Sequence, residues 1–199
     1  MRFEKWLLSE LDRLIVILNG GKGSGNFGHA GRPGKVGGSQ PQKRKEKKRR
    51  YDMNLDELEK DIVSLDYEYS GIYAQDGERI FHKSGNKNSV MYTRSEIDRM
   101  FGKILTHNHP GGWAFSQEDL DFQEQARLFE IRAVTDTYTY SIKNEDWANP
   151  ENVFRNNFRQ AIISVSQRET KYTGRDFNHE VLKEYAKTAG LKYERIKHA

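Results

Sequence analysis

Between Asn19 and Gln42, nine of twenty-four residues are glycine, a density that excludes a regular helix or strand. Each glycine gives up more backbone freedom on ordering than any other residue and brings no side chain to bury in return. The stretch reads as a flexible linker. "KRKEKKRR" follows, Lys43 to Arg50, with seven positive charges and one negative, and it carries the solvated linker on to residue 50. Residues 51–199 are then the one segment long enough to bury a core.

Composition agrees with that division. Hydrophobic residues make up 35% of the 199, which is low for a chain folded throughout. The net charge is +4 and the basic run alone contributes +6, so the remainder sums to −2. The high pI is therefore local and does not make the folded segment a nucleic-acid binder. The run itself reads either as a tether or as a contact for a polyanion, which would be sensitive to salt. There is no cysteine, which excludes disulfides, thiolate zinc sites and cysteine nucleophiles and fits a cytoplasmic setting. No segment approaches the ~20 apolar residues of a membrane span, so no membrane partner is expected.

Ahead of the linker, residues 1–19 have the pattern of an amphipathic helix, with Phe3, Leu7, Leu11, Leu14 and Leu18 on one stripe. Glu4, Glu10 and Asp12 interrupt the run, which argues against a signal peptide. The helix serves either to dock or self-associate, giving a homo-oligomer, or to pack on the main domain.

Beyond residue 51 helical and strand patterns alternate. "NLDELEKDIVSL" is a helix capped by Asn54. "YEYSGIYAQ" and "ERIFHKS" are strands around the turn Asp76-Gly77. "VMYT" is a short strand and "SEIDRMF" a short helix capped by Ser95. "KILTHNH" is a strand that ends at Pro110, and "SQEDLDFQEQARLFE" is a helix capped by Ser116. "IRAVT" and "YTYSIK" follow as strands. Pro150 opens a helix to about Gln167, Asp176 opens another to about Thr188, and "LKYERI" closes as a strand. The expected class is α/β, an α+β sandwich with a central mixed sheet flanked by helices.

The chemistry lies at the end of "KILTHNH". Residues i and i+2 of a strand share a face, so His107 and His109 project side by side. Pro110 ends strand pairing, and Gly111 and Gly112 let the chain turn. Asp119 falls in the first turn of the next helix, from which its carboxylate reaches back. Two imidazoles and a carboxylate form a three-ligand set with a fourth position open, the arrangement of catalytic zinc. Ser116, at the helix start, offers a hydroxyl. A hydrolase would also need a general base, a carboxylate on a neighbouring strand. The bland alternative is a structural histidine pair hydrogen-bonded in a polar cleft. Trp113 and Phe115, in the intervening loop, either contact substrate or cover the loop. His29, His82, His179 and His198 have no partner at ligand spacing and read as ordinary histidines.

His107-x-His109 followed by Ser116-x-x-Asp119 resembles the JAMM motif of the MPN metallopeptidases, and "THNHPGG" is most similar to the prokaryotic, RadC-like branch. That family also carries a glutamate upstream in the context Glu-x-x-Gly, which "EYSGIYA" supplies as Glu68 and Gly71; Glu78 is a rival on the neighbouring strand. The resemblance covers about Asn54 to Lys143. It implies an MPN-like, deaminase-related fold and zinc-dependent hydrolysis of a peptide or isopeptide bond in a protein or peptide substrate. His107, His109 and Asp119 would be the zinc ligands, Glu68 the general base, and Ser116 the group that stabilises the tetrahedral intermediate. Separately, "GSGNFGHAGRPGKVGGS", Gly23 to Ser39, resembles strings in bacteriophage head-associated proteins. It implies a phage or prophage origin, head or tail proteins as partners, and a place in the bacterial host cytoplasm or the virion. The competing function is a non-catalytic phage structural or interaction module, or a RadC-like nucleic-acid binder working through Lys43 to Arg50. A zinc nucleoside deaminase needs a Cys-x-x-Cys pair, which this chain lacks.

Overall fold

The computed structural model describes residues 50–147, 154–168 and 174–198. The helix expected over residues 1–19, the glycine-rich segment and all of the basic run but Arg50 lie outside them, as does Pro150. The described elements are α1 (Leu55–Ile62), β1 (Tyr69–Tyr73), β2 (Arg79–Ser84), α2 (Arg94–Asp98), β3 (Ile104–Asn108), α3 (Gln117–Ala126), β4 (Glu130–Val134), β5 (Tyr138–Lys143), α4 (Phe154–Arg168), α5 (Gly174–Ala189) and β6 (Lys192–Lys197). None of the described helices is long and apolar enough to cross a membrane.

Six strands form one sheet in the order β2-β1-β3-β4-β5-β6. β3 and β4 run parallel and every other pair is antiparallel, so the sheet is mixed and the class is α+β. A parallel pair cannot be joined by a hairpin; α3 makes the crossover from β3 to β4. The start of α3 is thereby brought to the end of β3.

Strand alternation sorts the two faces. Ile72, Leu105, Ile131, Ala133 and Ile142 point to one side, where they share a core with residues of α2 to α5 such as Ile97, Leu120, Val165 and Leu182. Tyr73 and Ile104 point to the other and pack with Leu58 and Ile62 of α1. Full burial of each large aliphatic side chain contributes about 2 kcal/mol. Gly71 lets α1 approach: a Cβ there would run into Leu58 and the Tyr73 ring. α1 itself starts where Asn54 accepts from the Glu57 amide while Glu57 reaches back to the Asn54 amide, a complete capping box.

Three expectations are corrected. Val90 to Thr93 forms no strand, because Tyr92 turns inward, stacks on Phe122 and donates its hydroxyl to Ser70 Oγ at 2.7 Å. α2 is capped by Thr93, not Ser95, in a capping box with Glu96. α3 ends at Ala126, where Arg127 takes a left-handed conformation (φ 47°), so Leu128, Phe129 and Glu130 lead into β4 instead of prolonging the helix.

Candidate metal centre

β3 is the third strand of the sheet and its end delivers the histidines. His107 is 5% exposed. His109 lies one residue past the strand, but its amide still donates to Val134 O of β4 at 2.9 Å, so the backbone stays extended and both imidazoles reach the same side. A turn follows, closed by Gly112 N donating to His109 O at 2.9 Å. Gly112 has φ +70°, a left-handed conformation that favours glycine. The chain then enters α3 through Ser116.

Ser116 accepts from the Asp119 amide at 3.1 Å, and Asp119 Oδ2 accepts from both the amide and the hydroxyl of Ser116 at 2.7 Å. This capping box aims the Asp119 carboxylate back at the strand end. Oδ1 lies 3.3 Å from His107 Nε2, Oδ2 lies 3.5 Å from His109 Nε2, and the two Nε2 atoms are 2.8 Å apart. His107, His109 and Asp119 form a group able to hold a metal ion, each offering one ligand atom.

The protonation pattern favours that use. His109 Nδ1 faces the carbonyl oxygens of Trp113 and Ala114 at 3.0 and 2.9 Å. Carbonyls only accept, so Nδ1 carries a hydrogen and Nε2 is the ring nitrogen that faces His107 and Asp119. His107 Nδ1 is buried without a partner. Three potential ligand atoms thus crowd together. Tetrahedral zinc with ligands at about 2.0–2.1 Å sets neighbouring donors about 3.3 Å apart; the carboxylate separations, one to each oxygen, are close to that, whereas the imidazole nitrogens at 2.8 Å would have to part to admit the ion. The donor set fits a divalent cation. Burial pushes the Asp119 carboxyl up, but the two imidazoles and the Ser116 hydroxyl outweigh it and hold the group well below the usual carboxylate range, with the helix N-terminus acting in the same direction.

Glu68 comes from the strand beside them. Ser70 pairs with His107 across β1 and β3, and continuing that antiparallel register sets Glu68 opposite His109 on the same face. Burial pushes its carboxyl up to about 7; His109 pulls it down and Asp119 pushes it further up. Glu78 lies beyond the other end of β1, where Tyr73 pairs with Ile104, and does not reach this site. Trp113 is 52% exposed beside the site whereas Phe115 is buried at 1%, so of the two loop aromatics only Trp113 presents its ring to solvent. His82 is held by the hydroxyls of Tyr69 and Tyr73, His179 by Tyr193 and His198 by Thr139.

Two neighbours escaped the sequence reading. Tyr92, buried next to Ser70, feels the charges of Asp119 and Glu68; its only signal was a tyrosine in an apolar run. Asn108, between the histidines, points to the opposite face and holds the segment around Glu68; a buried-strand asparagine was its signal. The chain matches no family model, no curated protein and no solved structure.

Proposed function

We propose that this chain is a zinc-dependent hydrolase that cleaves a peptide or isopeptide bond, of the JAMM type. The observation that carries the reading is the convergence of His107, His109 and Asp119 on one small volume, with Glu68 opposite His109. His107, His109 and Asp119 would hold the ion. Zinc bound there supplies a Lewis acid and lowers the pKa of water to around 7.

The chain's own groups do the rest. Glu68, opposite His109 in the continued strand register, would take a proton from the attacking water and return it to the leaving amine. Ser116 aims Asp119 through its hydroxyl, and its role at the oxyanion requires that the same hydroxyl swing from Asp119 Oδ2 towards substrate. Six residues, Pro110 to Phe115, separate His109 from Ser116, one fewer than the JAMM pattern has. The capping box nonetheless sets Asp119 against both imidazoles. An MPN-like fold is part of this proposal. A phage origin and head or tail protein partners rest on the Gly23–Ser39 resemblance alone.

The test is metal content together with cleavage of a fluorogenic peptide library and an isopeptide-linked probe. Stoichiometric zinc and chelator-sensitive cleavage are expected. Glu68→Gln should keep the zinc and lose at least ~100-fold in turnover, the scale of general acid–base catalysis. Protein purified without zinc, and unable to take it up, would return the chain to the class of interaction modules.

A further inference from the structure

Glu68 sits one residue ahead of β1, outside the regular ladder, yet its orientation is closely specified. The amide of Glu68 donates to Asn86 O at 2.7 Å and its carbonyl accepts from Gly85 N at 2.8 Å. Each of these groups belongs to one of the two peptide planes flanking its Cα. The other polar atoms of those planes are the Tyr67 carbonyl and the Tyr69 amide. Asn108 takes both: its Nδ2 donates to Tyr67 O at 3.0 Å and its Oδ1 accepts from Tyr69 N at 2.7 Å. Nδ2 also lies 3.4 Å from Leu65 O.

We propose that Asn108 is a positioning residue for Glu68, a clamp that ties the general base to the strand bearing the metal ligands. With both planes held, φ and ψ of Glu68 are fixed and only its side-chain torsions remain free. Asn108 stands between His107 and His109 and is 1% exposed. The strand that aims the imidazoles to one face therefore fixes, through the other face, the backbone of the carboxylate opposite them. Asparagine suits the position chemically. One planar group must both donate to a carbonyl and accept from an amide; aspartate cannot donate and leucine can do neither. This inference rests on the reading of Glu68 as the base.

The experiment compares Asn108→Ala, Asn108→Asp, Glu68→Gln and the double variant Glu68→Gln/Asn108→Ala in the full chain loaded with zinc, with the fluorogenic peptide library as probe. Asn108→Ala should lower kcat between ~10- and ~100-fold, the effect of a base displaced by about 1 Å, with KM and zinc content unchanged. Asn108→Asp keeps the acceptor for Tyr69 and should fall between Asn108→Ala and wild type. The double variant should be no slower than Glu68→Gln, because a residue that acts only through Glu68 has nothing left to act on. A double variant that loses the product of the two single effects overturns the proposal, as does a change in KM alone. Amide exchange separates this failure from failure of the hydrolase reading, which would show as a wild type that binds no zinc and cleaves nothing. In Asn108→Ala the Tyr69 amide should exchange at least ~10-fold faster while Ile72 stays protected. Unchanged protection at Tyr69 overturns the clamp whatever the activity. If Asn108→Ala does not fold, Asn108→Asp carries the test, with slower turnover at a protected Tyr69 amide expected and wild-type turnover overturning it.

Discussion

The two faces of the sheet each carry a cluster of buried charge, and they are built on opposite rules. Under α1, Glu59 receives a bidentate pair from Arg132 at 2.6 and 3.0 Å and a hydroxyl from Thr106 at 2.8 Å. Glu130 takes the remaining arm of Arg132 at 2.8 Å and the Ser141 hydroxyl at 2.7 Å. Burial alone would lower the Arg132 pKa, but the hydrogen bonds and charges of Glu59 and Glu130 raise it above the ordinary value. On the other face, Asp119 and Glu68 meet two imidazoles instead of a guanidinium. Two ring nitrogens lie 2.8 Å apart, a third is buried without a partner, and a carboxyl has been pushed up to about 7. In one cluster a guanidinium joins both carboxylates; in the other a carboxylate and two imidazole nitrogens face one another, a group able to hold a metal ion.

Breaking the guanidinium cluster should have the largest effect. Arg132→Met leaves Glu59 buried without a cation and Glu130 with only Lys143 at 4.0 Å, and unfolding measured in denaturant should show a loss of about 3–5 kcal/mol. A loss below ~1 kcal/mol would mean that the network is solvated and the contrast between the faces is false. The His107, His109 and Asp119 cluster should respond to metal in the opposite sense. Zinc at about a hundred times its dissociation constant should raise stability by about 2.7 kcal/mol. His109→Ala should abolish that gain and Asp119→Asn should reduce it sharply, while Arg132→Met should keep it. A zinc response that survives His109→Ala would place the ion elsewhere.

The Glu68 carboxyl sharpens the comparison through pH. In the metal-free chain it holds its proton to about 7, against an ordinary value of 4.5. The unfolded chain therefore releases its proton first as pH rises. Between those values the folded state binds more protons, so stability falls across that window. Glu68→Gln carries no charge to desolvate. It should stabilise the metal-free chain at pH 8 by about 2 kcal/mol, below the full value of the shift because the side chain is partly exposed, and make little difference at pH 4. Equal stabilities at both pH values would show that Glu68 is as well solvated as a surface carboxylate.

What could be read in advance follows from what is local. His107 and His109 two apart on an apolar strand, Ser116 three before Asp119, and Asn54 three before Glu57 are short-range patterns with a fixed geometric meaning, and the structure has all of them. The Glu-x-x-Gly resemblance alone favours Glu68 over Glu78; which of the two lies at the histidine end of the sheet depends on the pairing of β1 with β3, between residues nearly forty apart, which spacing along one chain does not encode. The cap of α2 was ambiguous because both Thr93-x-x-Glu96 and Ser95-x-x-Asp98 have the form of a capping box; the burial of Met100, a tertiary fact, goes with the earlier frame. Glu59 and Arg132 lie on separate elements, 73 residues apart, and no local pattern joins them. The one sign of their pairing was the spacing of Glu130 and Arg132, which places two opposite charges on one face of an otherwise apolar strand.

Ser116 tests the comparison at its smallest scale, because its hydroxyl serves both the fold and the site. Losing the cap in Ser116→Ala should lower stability by about 1 kcal/mol, the least of these effects. Ser116→Thr, which keeps a hydroxyl acceptor for the Asp119 amide, should recover most of it. The consequence for metal binding is separable. The Ser116 hydroxyl is also a donor to Asp119 Oδ2 at 2.7 Å; without it that oxygen keeps the Ser116 amide and gains freedom to rotate. Zinc affinity, measured by competition with a chromophoric chelator, should weaken in Ser116→Ala by roughly 10-fold, the low end of what the loss of an outer hydrogen bond to a ligand does. If stability drops and affinity does not, Asp119 is aimed by the helix backbone alone. The hydroxyl proton would then be free for substrate, as the oxyanion role requires.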